Sequence, residues 1–420
     1  MKISGNIFLK GDKSLAHRAI MLASISKGES RIKNIPNSED VMSTVNLIRE
    51  CGINIKATSN EIRIIGDTFK YPKIDLDCKN SGTTMRLLAG LLSYKKIPCT
   101  LVGDKSLSSR PMERIINPLT KMDNQIISAD GCAPITLENF SNKSLNEFQM
   151  FIPSAQVKSC LILAALGCDS KTKIIEKIKT RDHLELMLSA IDSGIIEYND
   201  KDIIIHPVKD KPLQGFDIEL PGDISSASYL IAAAVILNNS RLVINDLLLN
   251  PQRMGFIKTL VNMGANIKID QEETRFNESI GRLVVNGSAR LTPIHIDKNK
   301  IPSMIDEIPI LSLVCAYIEG ESVISGLEEL RYKESDRLRG ICDILEGMGV
   351  KVALHNKDQI RIKGGNKLYN TNKLPDLNDH RLAMMISIAQ IVSGNSVSYP
   401  NCINVSFPDF KNLIEEILEA

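Results

Sequence analysis

The sequence of 420 residues lacks the features that mark several large classes of protein. Lys and Arg number 51 against 50 Asp and Glu, so the formal net charge is only +1. Proteins that bind a nucleic-acid backbone usually carry a large basic excess on one face. No apolar run reaches the roughly 18 residues that a membrane-spanning helix requires. We therefore expect neither nucleic acid nor a membrane as a partner.

Cysteine is scattered rather than patterned. The nine cysteines are odd in number, with no C-x-x-C pair and no Cys/His cluster at zinc spacing. The sequence therefore indicates neither a disulfide framework nor a structural metal site. The first residues, MKISGNIFLKGDKS, contain no apolar core of signal-peptide length. We expect reduced thiols, no metal and a cytoplasmic protein.

The composition is that of a folded globular protein. Apolar residues make up 43% and charged residues 24% of the chain. A chain of 420 residues exceeds what one hydrophobic core usually organises. The length therefore predicts two domains.

One internal repeat consists of a helix-like stretch that ends at a turn residue and is followed by a strand pair. The turn residues are Gly52, Asp123, Gly194, Gly264 and Gly349. Glycine suits the end of a helix because the residue after the last turn often adopts positive φ. The alternating apolar residues that follow are typical of a hairpin.

A second repeat alternates with the first and consists of a capping residue, a helix rich in apolar and small residues, and a strand. Its six copies begin near Ser14, Ser81, Ser154, Ser225, Asp306 and Asp379. Helices with almost entirely apolar interiors are buried on most sides. The two repeats together predict six similar units of α and β structure.

The sixth unit ends with the helix FKNLIEEILEA and has no strand pair after it. We predict that the N-terminal stretch KISGNIFLKG supplies its missing strand. The chain then passes between domains near Lys10 to Asp12 and again near Pro221 to Ile224. The predicted domains are residues 12–223 and residues 1–11 plus 224–420, each with three units.

Basic residues recur at or near the starts of the apolar helices and on the loops beside them. They are Lys13, Arg18, Arg86, Lys158 and Arg381, with Arg110, Arg181, Lys333 and Arg337 on connecting loops or second helices. The N-terminus of a helix favours an anion through its free N–H groups and its dipole. Arg18 and Arg381 lie inside apolar helices, where a guanidinium needs an acidic partner or an anionic ligand. The pattern predicts anionic, phosphorylated small molecules as ligands.

Two acidic residues and two cysteines have ordinary structural explanations. Asp306 suits a helix cap, and Glu334 lies where it can form a helical charge pair with Arg337. Cys160 and Cys315 lie in apolar helices and are interpreted as core residues. Sequence spacing leaves the alternatives for Asp306 and Glu334 open.

Eight motifs in a fixed order resemble one known family. They are GDKSLAHRA at 11–19, NSGTTMR at 80–86, SRPM at 109–112, SAQVKS at 154–159, PGDISSAS at 221–228, MIDEIP at 304–309, YKESDRL at 332–338 and NDHR at 378–381. With these motifs the chain resembles the enolpyruvyl transferases from end to end. It is most similar to the members that act on shikimate 3-phosphate in the pathway to chorismate and the aromatic amino acids.

The resemblance implies a fold of mixed α/β (α+β) class. It consists of two similar domains, each of three βαβαββ units in an inverse α/β barrel-like arrangement. The active site is expected in the cleft between the domains, which closes on the substrates. The resemblance also implies a monomer that uses neither a metal nor an organic cofactor.

The implied reaction joins the enolpyruvyl group of phosphoenolpyruvate to the 5-hydroxyl of shikimate 3-phosphate and releases phosphate. The residues carried over for shikimate 3-phosphate are Lys13, Ser14, Arg18, Ser154, Gln156, Arg181, Asp306 and Lys333. Those for phosphoenolpyruvate are Lys13, Gly82, Arg110, Gln156, Arg337 and Arg381. The implied catalytic residues are Asp306, Glu334 and Lys13.

The chain departs from some relatives near its C-terminus. Val405 in VSFPDF stands where those relatives have a lysine. Either phosphoenolpyruvate meets fewer cations here, or Lys158 substitutes for the missing one.

Two other functions compete with the implied one. A UDP-N-acetylglucosamine enolpyruvyl transferase carries a cysteine in the loop before the shared Arg-Pro, and the corresponding DKSLSSRP has none. That enzyme also has Lys-Asn where this chain has Lys13 and Ser14. The second competitor is a catalytically silent anion-binding protein of the same fold.

Overall fold

A computed structural model describes residues 1–199, 201–208, 211–287, 290–365, 368 and 378–419. The chain divides into two compact units. The N unit comprises Gly11–Leu220 and Thr274–Glu278, and the C unit comprises Met1–Lys10, Pro221–Glu273 and Ser279–Ala420. The predicted crossings near Lys10 to Asp12 and Pro221 to Ile224 lie within three residues of these bounds. The predicted domains ran to residue 420, which lies outside the described residues.

The segment Thr274–Glu278 was not predicted to belong with the N-terminal half. It clusters with the N unit although the chain on both sides of it belongs to the C unit. Within the N unit, the ring of Phe276 packs against Phe216 with 5.5 Å between centroids. Residue patterns in the sequence did not predict this assignment, because a contact between residues 60 positions apart produces no periodic pattern.

Twelve α-helices occur in the described residues. They are α1 (Lys13–Ile25), α2 (Glu39–Glu50), α3 (Gly82–Lys95), α4 (Glu113–Lys121), α5 (Ala155–Ala165), α6 (His183–Ile191), α7 (Ile224–Ile236), α8 (Gly255–Asn262), α9 (Ile308–Tyr317), α10 (Arg337–Gly347), α11 (His380–Val392) and α12 (Phe410–Ile417).

Strands between these helices number 21 in the same residues. In the first half of the chain they are β1 (Lys2–Phe8), β2 (Glu29–Lys33), β3 (Asn54–Ala57), β4 (Glu61–Ile65), β5 (Leu76–Asp77), β6 (Cys99–Val102), β7 (Asn124–Ala129), β8 (Cys132–Phe140), β9 (Phe148–Met150), β10 (Thr172–Glu176), β11 (Ile196–Tyr198) and β12 (Asp202–Ile205). The others are β13 (Asp217–Glu219), β14 (Arg241–Leu248), β15 (Asn266–Arg275), β16 (Glu278–Asn286), β17 (His295–Ile296), β18 (Gly320–Ser325), β19 (Lys351–His355), β20 (Gln359–Gly364) and β21 (Leu418–Glu419).

The N unit contains three four-stranded sheets, one for each of its repeats. Their strand orders are β13-β2-β4-β3, β5-β6-β8-β7 and β11-β12-β10-β9. In each sheet, the two strands of the hairpin that follows α2, α4 or α6 are antiparallel to each other. The second hairpin strand is antiparallel to the strand that follows α1, α3 or α5. The fourth strand, β13, β5 or β9, pairs in parallel with that same strand. This is the βαβαββ unit that the resemblance implied.

The buried helices of the N unit pack on one another as well as on their sheets. Helix α3 contacts both α1 and α5. A Cβ added at Gly90 of α3 would lie 2.1 Å from the carbonyl oxygen of Cys160 in α5. Only glycine allows two helix backbones to approach so closely. Cys160 is fully buried at this contact, as predicted for a core residue.

The C unit contains two sheets in the described residues, β15-β16-β14-β1-β21 and β17-β18-β20-β19. Its three apolar helices α7, α9 and α11 pack against one another in pairs. Their buried residues join those of both sheets in one hydrophobic core. The sixth repeat contributes α11, α12 and the short strand β21 within the part of the chain that the structure describes.

Strand β1 lies in the C unit and contacts the sixth repeat through β21, but its longer pairing is with the fourth repeat. It pairs in parallel with β14 over Ser4–Phe8, which makes it the first strand of the fourth repeat. Its pairing with the sixth repeat is limited to two residues of β21. The reason is that α7 needs a parallel strand pair to cover, and Ile3 and Ile7 of β1 are buried in the core that contains α7.

The first repeat obtains its own first strand from far along the chain. Strand β13 pairs in parallel with β2, with Asp217 opposite Arg31. Each unit therefore contains one strand whose neighbour in its sheet is about 180 or more residues away in sequence.

Three of the six predicted helix caps are confirmed. Side-chain oxygens of Ser81, Ser154 and Asp379 accept hydrogen bonds from the first turns of α3, α5 and α11. Two others are wrong by two residues, since Asp12 caps α1 in place of Ser14 and Asp223 caps α7 in place of Ser225. The shift leaves the hydroxyl of Ser14 on the first turn of α1, available to other partners.

Candidate active site

Helix α1 presents the first group of predicted residues in the N unit. Arg18 is 2% exposed, and its guanidinium donates to the carbonyl oxygen of Ser14 at 2.9 Å. It also donates to the hydroxyl of Ser159 at 2.8 Å and to the carbonyl oxygen of Ala155 at 3.5 Å. These bonds fix Arg18 between the first turns of α1 and α5.

Arg181 joins this group from the loop that precedes α6. Its guanidinium lies 3.4 Å from the hydroxyl oxygen of Ser14. Ser154, the cap of α5, accepts from the N–H of Val157 at 3.4 Å. The structure thus brings Ser14, Arg18, Ser154 and Arg181 together around the starts of α1 and α5.

Helix α3 meets the start of α5 through side chains. Gln156 accepts from Arg86 at 2.5 Å and donates to the hydroxyl of Thr83 at 2.8 Å. Arg86 is one of the recurring cations of the sequence, and the family resemblance assigns it to neither substrate. Its contact with Gln156 adds it to the candidate site.

Gly82 is the first residue of α3 and lies beside two arginines. A Cβ at this position would lie 2.9 Å from Nη1 of Arg86 and 3.3 Å from Nη1 of Arg110. Arg110 is 5% exposed and donates to the side-chain oxygen of Asn80 at 2.5 Å. The absence of a side chain at Gly82 leaves the N-terminus of α3 and both guanidinium groups accessible to one small anion.

Lys13 lies one residue after the cap of α1 and pairs with Asp40. Its Nζ is 2.7 Å from Oδ2 of Asp40, and the two side chains are 17% and 11% exposed. The sequence analysis missed Asp40 because 27 residues separate it from Lys13. In this pair the carboxylate of Asp40 stabilises the protonated amine of Lys13.

His17 lies on the same helix and is fully buried. Its Nδ1 is 2.7 Å from the hydroxyl oxygen of Thr44. Burial lowers the pKa of His17 well below its ordinary value, and the positive charges of Lys13 and Arg18 lower it further. The imidazole is therefore neutral at pH 7.

Lys158 does not substitute for the lysine that Val405 replaces. It is 1% exposed, and its Nζ lies 2.9 Å from Glu176 and 2.8 Å from Glu185. Burial acts to lower the pKa of Lys158, but the two carboxylates outweigh it and raise the pKa. A lysine held between two buried carboxylates does not serve as a cation for phosphoenolpyruvate. Val405 itself ends a short 3-10 helix, Asn401–Val405, and is half-buried.

In the C unit, Asp306 lies in a short 3-10 turn, Ile305–Glu307, directly before α9. Its Oδ1 is 3.3 Å from Nζ of Lys333 and 3.6 Å from Nη1 of Arg337. Helix α9 starts after Glu307, whose side chain makes no cap. The open alternative that Asp306 serves only as a helix cap is not supported by these contacts.

Arg337 is the centre of the acidic residues in the C unit. It is 2% exposed, its Nε lies 2.9 Å from Asp379, and its Nη2 bonds to Glu334. Burial works to lower the pKa of Arg337, but Asp379, Glu334 and Asp306 raise it by more. The pairing of Glu334 with Arg337 at i, i+3 is present, and it belongs to a buried network rather than to a solvated helix face. The sequence analysis missed the contact of Asp379 because 42 residues separate the partners.

Arg381 occupies the first turn of α11 and is 6% exposed. Its N–H donates to the capping carboxylate of Asp379 at 2.9 Å. Burial favours a lower pKa for Arg381, but the neighbouring hydroxyl of Tyr229 and the carboxylates of Asp306 and Glu307 raise the pKa. The guanidinium of Arg381 therefore stays charged at every pH of interest.

The candidate residues form two groups. The N-unit group contains Lys13, Ser14, Arg18, Gly82, Arg86, Arg110, Ser154, Gln156 and Arg181. The C-unit group contains Asp306, Lys333, Glu334, Arg337, Asp379 and Arg381. No cluster of three or more His, Cys, Asp or Glu side chains arranged for a metal ion occurs in either group or elsewhere in the described residues. Within the same ranges, the helices are too short or too polar to cross a membrane.

The chain is similar to known proteins over nearly its whole length. Residues 1–414 match the family described as EPSP synthase (3-phosphoshikimate 1-carboxyvinyltransferase). A 3-phosphoshikimate 1-carboxyvinyltransferase of Petrotoga mobilis is 40% identical and covers 99% of this chain and 97% of its own. One from Syntrophomonas wolfei is also 40% identical, with the same coverage.

Solved structures agree with these relatives. An EPSP synthase from Acinetobacter baumannii superposes with a TM-score of 0.84 at 33% identity and covers 99% of this chain and 96% of its own. The enolpyruvyl transferase NikO from Streptomyces tendae shares the fold, with a TM-score of 0.77 at 15% identity and coverage of 99% and 95%. The chain belongs to the EPSP synthase family.

Proposed function

We propose that this protein transfers the enolpyruvyl group of phosphoenolpyruvate to the 5-hydroxyl of shikimate 3-phosphate, giving 5-enolpyruvylshikimate 3-phosphate and phosphate. The observation that carries the proposal is the convergence of Arg18, Arg86, Arg110 and Arg181 on the starts of α1, α3 and α5. The two substrates together carry a charge of about −5 to −6, since each has a phosphate and a carboxylate. Charge-assisted bonds to arginine are the strongest means of holding such groups.

Shikimate 3-phosphate is assigned to the residues at the starts of α1 and α5, with help from the C unit. They are Lys13, Ser14, Arg18, Ser154, Gln156, Arg181, Asp306 and Lys333. Arg18 and Arg181 both contact Ser14, so a phosphate beside that hydroxyl meets two cations and the N-terminus of α1. Asp306 beside Lys333 then serves a hydroxyl of the substrate.

Phosphoenolpyruvate is assigned to the start of α3 and to two arginines of the C unit. The residues are Lys13, Gly82, Arg86, Arg110, Gln156, Arg337 and Arg381. Gly82 allows its phosphate or carboxylate to approach the helix N-terminus, with Arg86 and Arg110 on either side. Arg86 is an addition that the contact with Gln156 supports.

The chemistry is an addition followed by an elimination. The 5-hydroxyl oxygen attacks C2 of phosphoenolpyruvate, its proton passes to a base, and C3 gains a proton to become a methyl group. The resulting tetrahedral intermediate loses phosphate from C2 and a proton from C3, which restores the double bond. Each proton transfer needs a group within hydrogen-bond reach of the atom concerned.

Asp306 is assigned as the base that takes the hydroxyl proton. Its carboxylate is oriented by its contacts with Lys333 and Arg337. Glu334 and Lys13 are assigned to the proton at C3. Arg337 stabilises Glu334 once Glu334 has given a proton to C3, and Asp40 stabilises Lys13 once Lys13 has taken a proton from C3.

The reaction requires no metal and no organic cofactor, because no step changes an oxidation state and the arginine and lysine side chains supply the positive charge that the phosphates need. The protein acts as a monomer in the cytoplasm, and light scattering of the purified protein tests the first half of that statement. Neither nucleic acid nor membrane is a partner.

Phosphate release from the purified protein tests the function directly. Phosphoenolpyruvate is supplied with either shikimate 3-phosphate or UDP-N-acetylglucosamine, in buffer containing EDTA. Release with shikimate 3-phosphate alone supports the proposal. Release with UDP-N-acetylglucosamine assigns the protein to the other transferase reaction, and release with neither substrate assigns it to the silent anion-binding proteins.

A further inference from the structure

A buried triad of charged residues lies beneath the loop that carries Arg181. Lys158 of α5 contacts Glu176 at the end of β10 and Glu185 in α6, and the three side chains are 1%, 6% and 2% exposed. Removing three ions from water costs several kcal/mol for each before their attraction is counted. Apolar residues of similar size fill such a space as well or better. The triad therefore calls for an explanation beyond packing.

The triad binds every polar atom of Thr180. Oε1 of Glu176 accepts from the N–H of Thr180 at 3.1 Å and from its hydroxyl at 2.5 Å. Nζ of Lys158 lies 3.4 Å from the carbonyl oxygen of the same residue. Thr180 is 4% exposed, so these bonds are shielded from water. The backbone at Thr180 is held on three sides by two charged groups.

The loop borders a cavity on the side that faces the triad. A cavity of about 410 Å³ is lined by Lys179, Thr180 and Asp182 of the loop together with Lys158 and Glu185. A segment that faces a cavity gains little from van der Waals contact there. The position of the loop therefore depends mainly on its polar anchors.

Arg181 follows Thr180 directly and reaches Ser14 of α1 with its guanidinium, at 3.4 Å. Fixing the peptide on the N-terminal side of Arg181 fixes the point from which its long side chain extends. A long side chain placed in advance loses less conformational entropy when it binds an anion. The triad can therefore affect substrate affinity without touching the substrate.

We infer that Thr180 and the triad of Lys158, Glu176 and Glu185 are positioning residues that set Arg181 for the phosphate of shikimate 3-phosphate. This inference rests on the proposed function, because it uses the assignment of Arg181 to that substrate. It goes beyond that function in giving a role to four residues that are assigned to neither substrate.

The substitution Thr180→Val tests the inference with little change in volume. Valine keeps the backbone bond to Glu176 and removes only the hydroxyl. We expect the KM for shikimate 3-phosphate to rise about 5-fold to 10-fold, while kcat and the KM for phosphoenolpyruvate stay within about 2-fold of wild type. Thr180→Ser restores the hydroxyl and is expected to return the KM to within about 2-fold of wild type.

Thr172→Val is the matched control. Thr172 lies at the other end of β10, is 1% exposed, and its hydroxyl accepts from the N–H of Leu145 at 3.2 Å. The substitution thus removes one buried hydroxyl bond from the same strand without touching the loop. We expect Thr172→Val to lower the melting temperature as Thr180→Val does, with no change in the KM for shikimate 3-phosphate. Equal rises in KM for both variants overturn the inference.

A double-mutant cycle with Arg181→Met identifies the route of the effect. If Thr180 acts through Arg181, Thr180→Val adds nothing to the KM of the Arg181→Met variant. If the two changes multiply, Thr180 acts by another route and the inference is wrong.

Hydrogen exchange in the ligand-free protein gives a readout that is independent of turnover. We expect Thr180→Val to speed exchange at Thr180 and Arg181 at least 10-fold while the amides of β10 before Glu176 stay protected. Unchanged exchange at these two amides overturns the anchoring role. If wild-type protein releases no phosphate with shikimate 3-phosphate, the proposed function fails instead, and the exchange result still decides the anchoring role.

Discussion

The two units hold their cations with different partners. In the N unit, the guanidinium groups of Arg18, Arg86 and Arg110 bond to carbonyl, hydroxyl and amide oxygens. In the C unit, Lys333 and Arg337 bond to carboxylates. A neutral oxygen fixes a guanidinium without adding negative charge beside it, whereas a carboxylate cancels charge and can itself carry a proton.

This difference separates two tasks. Neutral acceptors suit a group whose work is to hold phosphates and carboxylates, because a bound anion then meets no like charge from those acceptors. Carboxylates held by arginine and lysine suit a group that takes and returns protons. Lys13 is a mixed case in the N unit, since it pairs with Asp40. Substitutions in the N-unit group should therefore change KM, and substitutions of C-unit carboxylates should change kcat.

The largest expected effect is that of Asp306→Asn. Asparagine keeps the size and can still accept from Lys333, but it cannot take the hydroxyl proton. We expect kcat to fall by about 10²-fold or more, as is typical for a general base, with each KM within about 3-fold of wild type. Steady-state kinetics with both substrates provides the measurement.

Asp343→Asn is the control for that change. Asp343 is a more exposed carboxylate of the same unit, 39% exposed and paired with Arg339 at 2.9 Å. Its replacement should leave both kinetic constants unchanged. A near-normal kcat for Asp306→Asn would break the division of tasks between the units.

Arg18→Met is expected to have the next largest effect. Methionine preserves much of the apolar stem and removes the charge, so the KM for shikimate 3-phosphate should rise about 30-fold, equivalent to the ~2 kcal/mol of a hydrogen bond to a charged group. The value of kcat should change far less. Arg31→Met, at an exposed arginine of the same unit that pairs with Glu29, is the control. A fall in kcat at unchanged KM would contradict the assignment of the N-unit group to binding.

Gly82→Ala should have a smaller and more selective effect. The new methyl group lies 2.9 Å from Arg86 and 3.3 Å from Arg110, where phosphoenolpyruvate is proposed to approach α3. We expect about a 10-fold rise in the KM for phosphoenolpyruvate and less than a 2-fold change for shikimate 3-phosphate. Gly194→Ala is the matched control, because a Cβ there meets only Asp192 at 3.3 Å on an exposed turn. A larger change for shikimate 3-phosphate would show that the two substrate positions are assigned the wrong way round.

The smallest expected effect is a dependence of stability on pH through His17. Its pKa in the folded protein is lowered by burial and by Lys13 and Arg18, while the unfolded chain binds a proton near pH 6.5. Below that pH the unfolded state binds more protons, so the free energy of unfolding falls as the pH falls. The contribution of His17 to the slope of the unfolding free energy against pH approaches about 1.4 kcal/mol per pH unit.

Denaturant titrations between pH 7 and pH 5 measure this slope. His17→Gln should reduce it, and His355→Gln, at an exposed histidine, should not. An equal slope in wild type and His17→Gln would show that neither burial nor the neighbouring positive charges lower the pKa of His17 in the folded protein. The comparison concerns slopes, so a uniform loss of stability in His17→Gln does not affect it.

The sequence allowed the prediction of features that recur along the chain. The apolar helices, their hairpins and the caps Ser81, Ser154 and Asp379 follow from local residue patterns. The shift of two other caps, to Asp12 and Asp223, has a simple cause. An aspartate two residues earlier accepts from the same first turn, and periodicity does not distinguish these starting points.

Long-range partners could not be predicted in the same way. Asp40 with Lys13, Asp379 with Arg337 and the two glutamates with Lys158 are separated by 18 to 42 residues and follow no repeat. Lys158 is an example. Its position in SAQVKS suggested a cation that binds a ligand, whereas in the structure it is buried between two glutamates. Strand β13 has only three residues and looks like a loop until it pairs with β2. The roles of the individual site residues remain predictions that the kinetic experiments address.

The pairing of β1 with β14 also imposes an order on synthesis. A ribosome adds about 5 to 20 residues per second, so β1 is made on the order of tens of seconds before its parallel neighbour exists. The first sheet likewise lacks β13 until about 180 residues have followed β2. During that time both early segments have unpaired strand edges, and such edges are where a nascent chain is most open to association with other strands.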